Sequence, residues 1–176
     1  MRLIAIAVLT IIFAIPSSVL GQTRRRSTTP KPTTATATAQ KTAQVRTQGA
    51  TRVADQIKLL TKFTYLLGGI NSGIAAADED IRRNQATPEQ VQANQQSKAR
   101  VRSSIQGFRE GLDKLEIDFR ATPELQPFYI KLAGSAAGAA TAEEQAAANR
   151  FDEAGRTLLN VINRLTDVLL SMRVTP

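Results

Sequence analysis

The chain has 176 residues, with 23 Lys plus Arg against 15 Asp plus Glu, and it contains no His, Cys or Trp. The missing residues exclude disulfides, thiol nucleophiles, Cys-ligated metals, and the imidazole that serves most often as general base, metal ligand and haem ligand. Di-iron bundle sites, which pair Glu with His at i+3, are excluded on the same ground. One folded domain is expected, because about 100–150 residues bury a self-sufficient core without cross-links.

Residues 1–21 have the three-part layout of a secretory signal peptide. Met1-Arg2 gives a positive start, Leu3 to Ile15 is apolar except for Thr10, and Pro16-Ser17-Ser18 breaks the run. Val19 and Gly21 occupy the −3 and −1 positions of a cleavage site. The apolar core of 13 residues falls short of the ~20 that span a bilayer. The sequence therefore predicts cleavage at Gly21-Gln22 and a periplasmic or secreted protein. The alternative is a membrane anchor left uncleaved, because Arg24-Arg25-Arg26 is an awkward flank to export.

Residues 22–48 read as a disordered basic tail rich in Thr, Pro and Ala. Its one large aliphatic side chain is Val45 and it has no aromatic, so it cannot bury enough apolar area to offset its ordering entropy. Apart from Arg2 in the signal, the net charge of +8 sits in and just after this tail. Arg24, Arg25, Arg26, Lys31, Lys41, Arg46 and Arg52 lie between Gln22 and Arg52 with no acid among them. The rest of the chain, 53–176, holds 15 cations and 15 acids and is neutral. These seven residues are the candidate polyanion-binding set, against the plainer reading of a solvated spacer.

Residues 49–176 read as an all-α domain of four helices. Helix one is predicted over about 50–84, where Val53, Ile57, Leu60, Thr64, Leu67, Asn71 and Ile74 step by 4,3,4,3,4,3. Gly68-Gly69 invites a break or kink near residues 68–73. Helix two is predicted over about 88–121. Thr87 caps it, Pro88 fits the first turn, Gln90 closes a capping box, and Val101 to Phe119 carry the apolar stripe. The turns from Gln92 to Arg100 read as almost wholly polar. Thr122-Pro123-Glu124 repeats the start signal for helix three, about 123–135. Thr141 and Glu144 form a second apparent capping box, so helix four is predicted over about 141–173, with Ala154, Leu158, Val161, Leu165, Val168 and Met172 on its inner face. The stretch 134–140 is left as loop or helix, with an extended connection preferred to a helix running on through Thr141.

Large apolar residues crowd the start of helix one, the end of helix two, the start of helix three and the end of helix four. An up-down-up-down antiparallel four-helix bundle brings them to one end. The other end, with Ala75-Ala76-Ala77 and Ala146-Ala147-Ala148, should be thinly packed. A short hairpin between helices two and three puts Gly107 and Gly111 opposite Ala136 and Leu132.

Three Gly-x-x-x-Gly spacings occur, at Gly69/Gly73, Gly107/Gly111 and Gly134/Gly138. With Asn71, Arg109 and Glu110 beside two of them they read as close helix contacts in a water-soluble bundle rather than a membrane dimer motif. Asp78-Glu79-Asp80 fan out about 100° apart and cannot converge on one cation. Arg82 and Arg83 lie within i+4 reach of them, and Glu143-Glu144 suit a helix N-terminus. No pattern points to a metal or a cofactor, and no basic-aromatic interleaving suggests sequence-specific nucleic-acid binding. The expected function is non-catalytic: an exported binding or structural protein whose partner is another protein or an envelope polymer. The alternatives are weak contact with a polyanion or an anionic membrane surface through the tail and, more distantly, an enzyme built on carboxylates alone.

Overall fold

The computed structural model describes residues 34–174, and every regular element among them is helical. The order is α1 (Thr34–Arg82), α2 (Pro88–Ala121), α3 (Gln126–Leu132), α4 (Ser135–Ala147) and α5 (Phe151–Val174). The expected signal peptide and the first part of the expected tail, residues 1–33, lie outside the described residues.

Helix α1 starts at Thr34, not near residue 50, so residues 34–48 of the expected disordered tail are helical. Two causes act together. Ala35, Ala37, Ala39 and Ala43 are the best helix formers, and Gln40, Lys41 and Arg46 are good ones. Adding turns to a helix already fixed by packing also escapes the nucleation cost that would defeat this segment alone. The packing begins at Val45 and at Gly49, which is buried beside Leu125 and Met172. Helix α1 runs without interruption through Gly68–Gly73, so the expected break is absent. Val53, Leu60, Leu67 and Ile74, one residue in seven, form its buried line. It ends where Asn84 turns to φ 56°.

The start of α2 is the capping box read from the sequence. The Thr87 hydroxyl accepts from the Gln90 amide, and the Gln90 side chain accepts from the Thr87 amide at 2.7 Å. The similar signal at Thr122 yields only a turn, with the Leu125 amide bonded to the Thr122 carbonyl. Pro127 has no N–H to return to Pro123, so a helix begun there cannot propagate. The chain restarts at Gln126 as the two-turn α3, shorter than the expected 123–135.

The largest departure follows. Gly134 takes φ +88°, a left-handed conformation that costs glycine little, and α4 begins at once at Ser135. Thr141 lies in mid-helix, its hydroxyl donating to the Ala137 carbonyl, and caps nothing. The turn comes instead at Asn149, φ 60°, and α5 starts at Phe151. The expected single helix 141–173 is therefore two. Ala136 and Ala139, from the stretch expected to be a connection, form the buried face of α4 together with Ala142 and Ala146.

Helix α1 packs against α2 and α5, α4 packs against the same two, and α3 bridges α2 and α5. Each long pair runs antiparallel. Arg52 meets Asp118 and Lys98 meets Asp78 across α1 and α2. Asn71 donates to Asp152 at 2.7 Å across α1 and α5, and Arg109 meets Glu143 at 2.6 Å across α2 and α4. Thr157 donates to Gln145 at 2.8 Å across α4 and α5. The core includes the fully buried Leu60, Ile105, Leu112, Phe119, Leu132, Leu158 and Leu165. Each leucine of that size is worth about 1.5–3 kcal/mol on burial. Phe151 and Ile74 extend the core into the end expected to be thin.

The register expected for Gly107 and Gly111 is not found. The residue facing the start of α4 is Glu116, whose carboxylate accepts from the Ala136 amide at 2.9 Å. Gly111 looks toward Gln56 of α1, and Gly107 is exposed. The turn at 122–125 and the break at Gly134 consume chain that a short hairpin would have placed in contact.

Candidate functional site

Two groups of charged and amide side chains tie the helices together. In the first, Asp78 near the end of α1 receives both the Lys98 ammonium and the Asn94 amide on one carboxylate oxygen, each at 2.6 Å. Asn94 and Lys98 are buried, and Asp78 is about half covered. Partial burial pushes the Asp78 carboxyl upward. The hydrogen bonds from Lys98 and Asn94, with the positive charges of Lys98 and Arg82, outweigh it and hold the group below the usual carboxylate range. Asn94 Oδ1 is buried without a hydrogen-bond partner. The apparently polar opening of α2 thus has an inner face, which the sequence reading missed. The signal was present: Asn94, Lys98, Val101, Ile105, Phe108 and Leu112 step by 4,3,4,3,4.

The second group joins α2 to α4. Arg109 Nε donates to Glu143 at 2.6 Å and Nη1 to Asp113 at 3.3 Å, which drives the guanidinium further above its ordinary value, the Glu143 bond first. Arg102 reaches the Ala146 carbonyl at 3.2 Å and Asn149 Oδ1 at 2.8 Å, closing the end of α4. Glu143 therefore lies mid-helix in an ion pair, not at a helix N-terminus. Glu79 takes both Arg82 and Arg83, which leaves Asp78 for α2.

The hydroxyls of Ser97, Ser104 and Thr166 each donate to the carbonyl four residues back. Among the described residues no three acidic side chains gather as a metal site. Two shallow hollows flank α1. One of about 200 Å³ is bordered by Leu67, Gly68, Phe151 and Gly155, and one of about 410 Å³ by Ile70, Gly73, Ala77, Ala93 and Ser97.

The candidate polyanion set divides. Arg24, Arg25, Arg26 and Lys31 fall outside the described residues. Lys41 is exposed on the first turns of α1. Arg46 is half-buried with its guanidinium 5.9 Å from the centre of the Phe128 ring, and Arg52 is bound to Asp118. The fold thus draws two of the seven cations into its own contacts.

No protein-family model matches the chain, and comparison with curated proteins and with solved structures finds no significant match.

Proposed function

We propose that this is an exported, non-catalytic protein whose up-down-up-down helical bundle serves as a binding or structural module in the periplasm or at the cell exterior. The carrying observation is the N-terminal layout, a positive start, a 13-residue apolar core and a small residue before Gln22. In support of the topology, the antiparallel contacts Arg52–Asp118, Asn71–Asp152, Arg109–Glu143 and Thr157–Gln145 join neighbouring helices around a closed ring. In support of a non-catalytic role, the buried Asn94 and Lys98 are both spent on Asp78, and the buried Ser135 hydroxyl donates to the Leu132 carbonyl. Expression of the full chain in a bacterial host, with cell fractionation and intact-mass analysis, tests the reading. A soluble extracytoplasmic product beginning at Gln22 is expected. Retention of Met1 in the membrane fraction would replace it with an anchored protein.

A further inference from the structure

The outer face of α1 combines two properties that are seldom found together on a water-facing helix. The first is exposed apolar area. Leu59 is 53% exposed, Leu66 48%, Ile70 39% and Tyr65 84%. These four lie within about 17 Å along the axis at 1.5 Å per residue. Leu59, Leu66 and Ile70 continue one stripe with Phe63, whose ring meets Phe108 of α2 edge-on at 5.0 Å. The hollow of about 410 Å³ opens on the same face, beside Ile70 and Gly73.

The second property is charge. From Gln56 to Ala77, α1 carries Lys58 and Lys62 and no acid. From Gln90 to Arg109, α2 carries Lys98, Arg100, Arg102 and Arg109 and no acid. The antiparallel pairing of α1 with α2, fixed by the contacts Gln56–Gly111 and Asp78–Lys98, lays most of these two segments side by side, with the exposed Glu110 at the Gly111 end. Lys98, Arg102 and Arg109 turn inward to Asp78 and to α4. Lys58, Lys62 and Arg100 are exposed. Lys58 has Asp55 at 3.2 Å, a surface pair of small worth that competes weakly with other anions. Lys62 and Arg100 have no acid within four residues along their own helices, so they are the cations of this face least engaged with acids of their own helices.

We propose that the outer α1/α2 face docks flat on an anionic lipid membrane surface. The apolar side chains enter the headgroup boundary, Lys58, Lys62 and Arg100 meet phosphates, and Tyr65 sits at the interface where its ring and hydroxyl are both accommodated. A polysaccharide or nucleic acid would use the cations and leave the leucines in water. A second copy of this chain, meeting the same patch about a two-fold axis, would set these cations against themselves. No described helix is long and apolar enough to cross a bilayer, so the contact is a surface one. The inference rests on the reading of this domain as a binding module and names its partner. It is separable from export: a correctly exported protein that ignores lipid refutes only this step.

The chain lacks Trp, which gives a local test. In the full chain, Leu66→Trp places one indole on the face, and Ile130→Trp places one on α3, which packs against α2 and α5. Vesicles of phosphatidylglycerol with phosphatidylcholine should shift the emission of the Leu66→Trp protein to the blue, and half-molar salt should reverse the shift. Pure phosphatidylcholine vesicles and the Ile130→Trp protein should give none. Adding Lys58→Ala and Lys62→Ala to the Leu66→Trp protein should weaken vesicle partition about 25-fold, at about fivefold per cation. An unmoved Leu66→Trp spectrum overturns the proposal even if residues outside the domain bring the chain to vesicles. A blue shift that rises with protein concentration in the absence of lipid overturns it too, in favour of a second copy on this face.

Discussion

The pairs Gly134/Gly138 and Gly69/Gly73 share a spacing and occupy opposite physical situations. A Cβ on Gly138 would stand 2.8 Å from Val161 Cγ2, and Gly134 holds φ +88° under the Arg164 guanidinium, which donates to the Ala133 carbonyl at 2.8 Å. Around Gly69 and Gly73 an added Cβ meets nothing within 4 Å. One pair lets α4 close on α5 with alanines where leucines would not fit. The other lies on the outer side of α1 and makes no helix contact. The same four-residue period therefore marks a seam in one region and bare surface in another. Only the partner helix distinguishes them.

The sharpest way to break this contrast is to truncate an aliphatic side chain on each side. Leu158, fully buried on α5, should lose about 2–5 kcal/mol on replacement by Ala. Leu66→Ala on the outer face should stay within about 0.5 kcal/mol of the parent. Urea denaturation followed by circular dichroism reads both, and equal midpoints would mean that the two faces are misassigned.

Next in size is the polar layer. Asp78→Ala leaves the Lys98 ammonium buried without its acceptor and should cost about 2 kcal/mol at neutral pH. Because the folded carboxyl is held below its unfolded value of 3.8, the carboxylate's contribution is complete above about pH 4 and is lost as the pH falls through the lower, folded value. The gap between parent and variant should therefore close on acidification, and a gap constant from neutral pH to well below 3.8 would place the stabilisation elsewhere.

The glycines give the finest comparison. Gly138→Ala should destabilise by about 1 kcal/mol, the overpacking against Val161 exceeding the gain in helix propensity. Gly69→Ala, in open space, should instead stabilise by up to about 1 kcal/mol. Thermal melts of the two variants should move in opposite directions, and a shift of the same sign would erase the distinction between seam and surface.

How much of this was legible follows from which residues carry side-chain identity. The stripes Val53–Leu60–Leu67–Ile74 and Leu158–Val161–Leu165 repeat with the helix, so periodicity alone finds the buried faces. The capping box at Thr87 also stands in the sequence, because its two hydrogen bonds are local. What escaped depends on distant partners or on alanine. The inner face of α4 is Ala136, Ala139, Ala142 and Ala146, whose small side chains look alike in linker and core. The first turns of α1 need the anchor at Gly49 that the sequence alone does not reveal. The apparent box at Thr141 fails because helix already precedes it. The polar layer was hidden by residue type, since Asn94 and Lys98 sit at core positions that periodicity marks but polarity disguises. The candidate cations were found as a composition, and their separation into Arg46 and Arg52, bound within the fold, and the exposed Lys41 required Phe128 and Asp118 in space.

The seam between α1 and α5 has a consequence for the order of assembly. The hairpins α1–α2 and α4–α5 are closed by a few residues each, whereas Asn71 and Asp152 are 81 residues apart in sequence, and Gly49 must find Met172 near the far end of the chain. Loop closure makes short-range contacts the first to form and long-range ones the last. Loop closure therefore favours the two hairpins as early local units and the docking of the first long helix onto the last as a late step. Until that docking, the lines Val53–Leu60–Leu67 and Leu158–Leu165 stand open to water together, which makes this step the interval in which the chain is most exposed to aggregation.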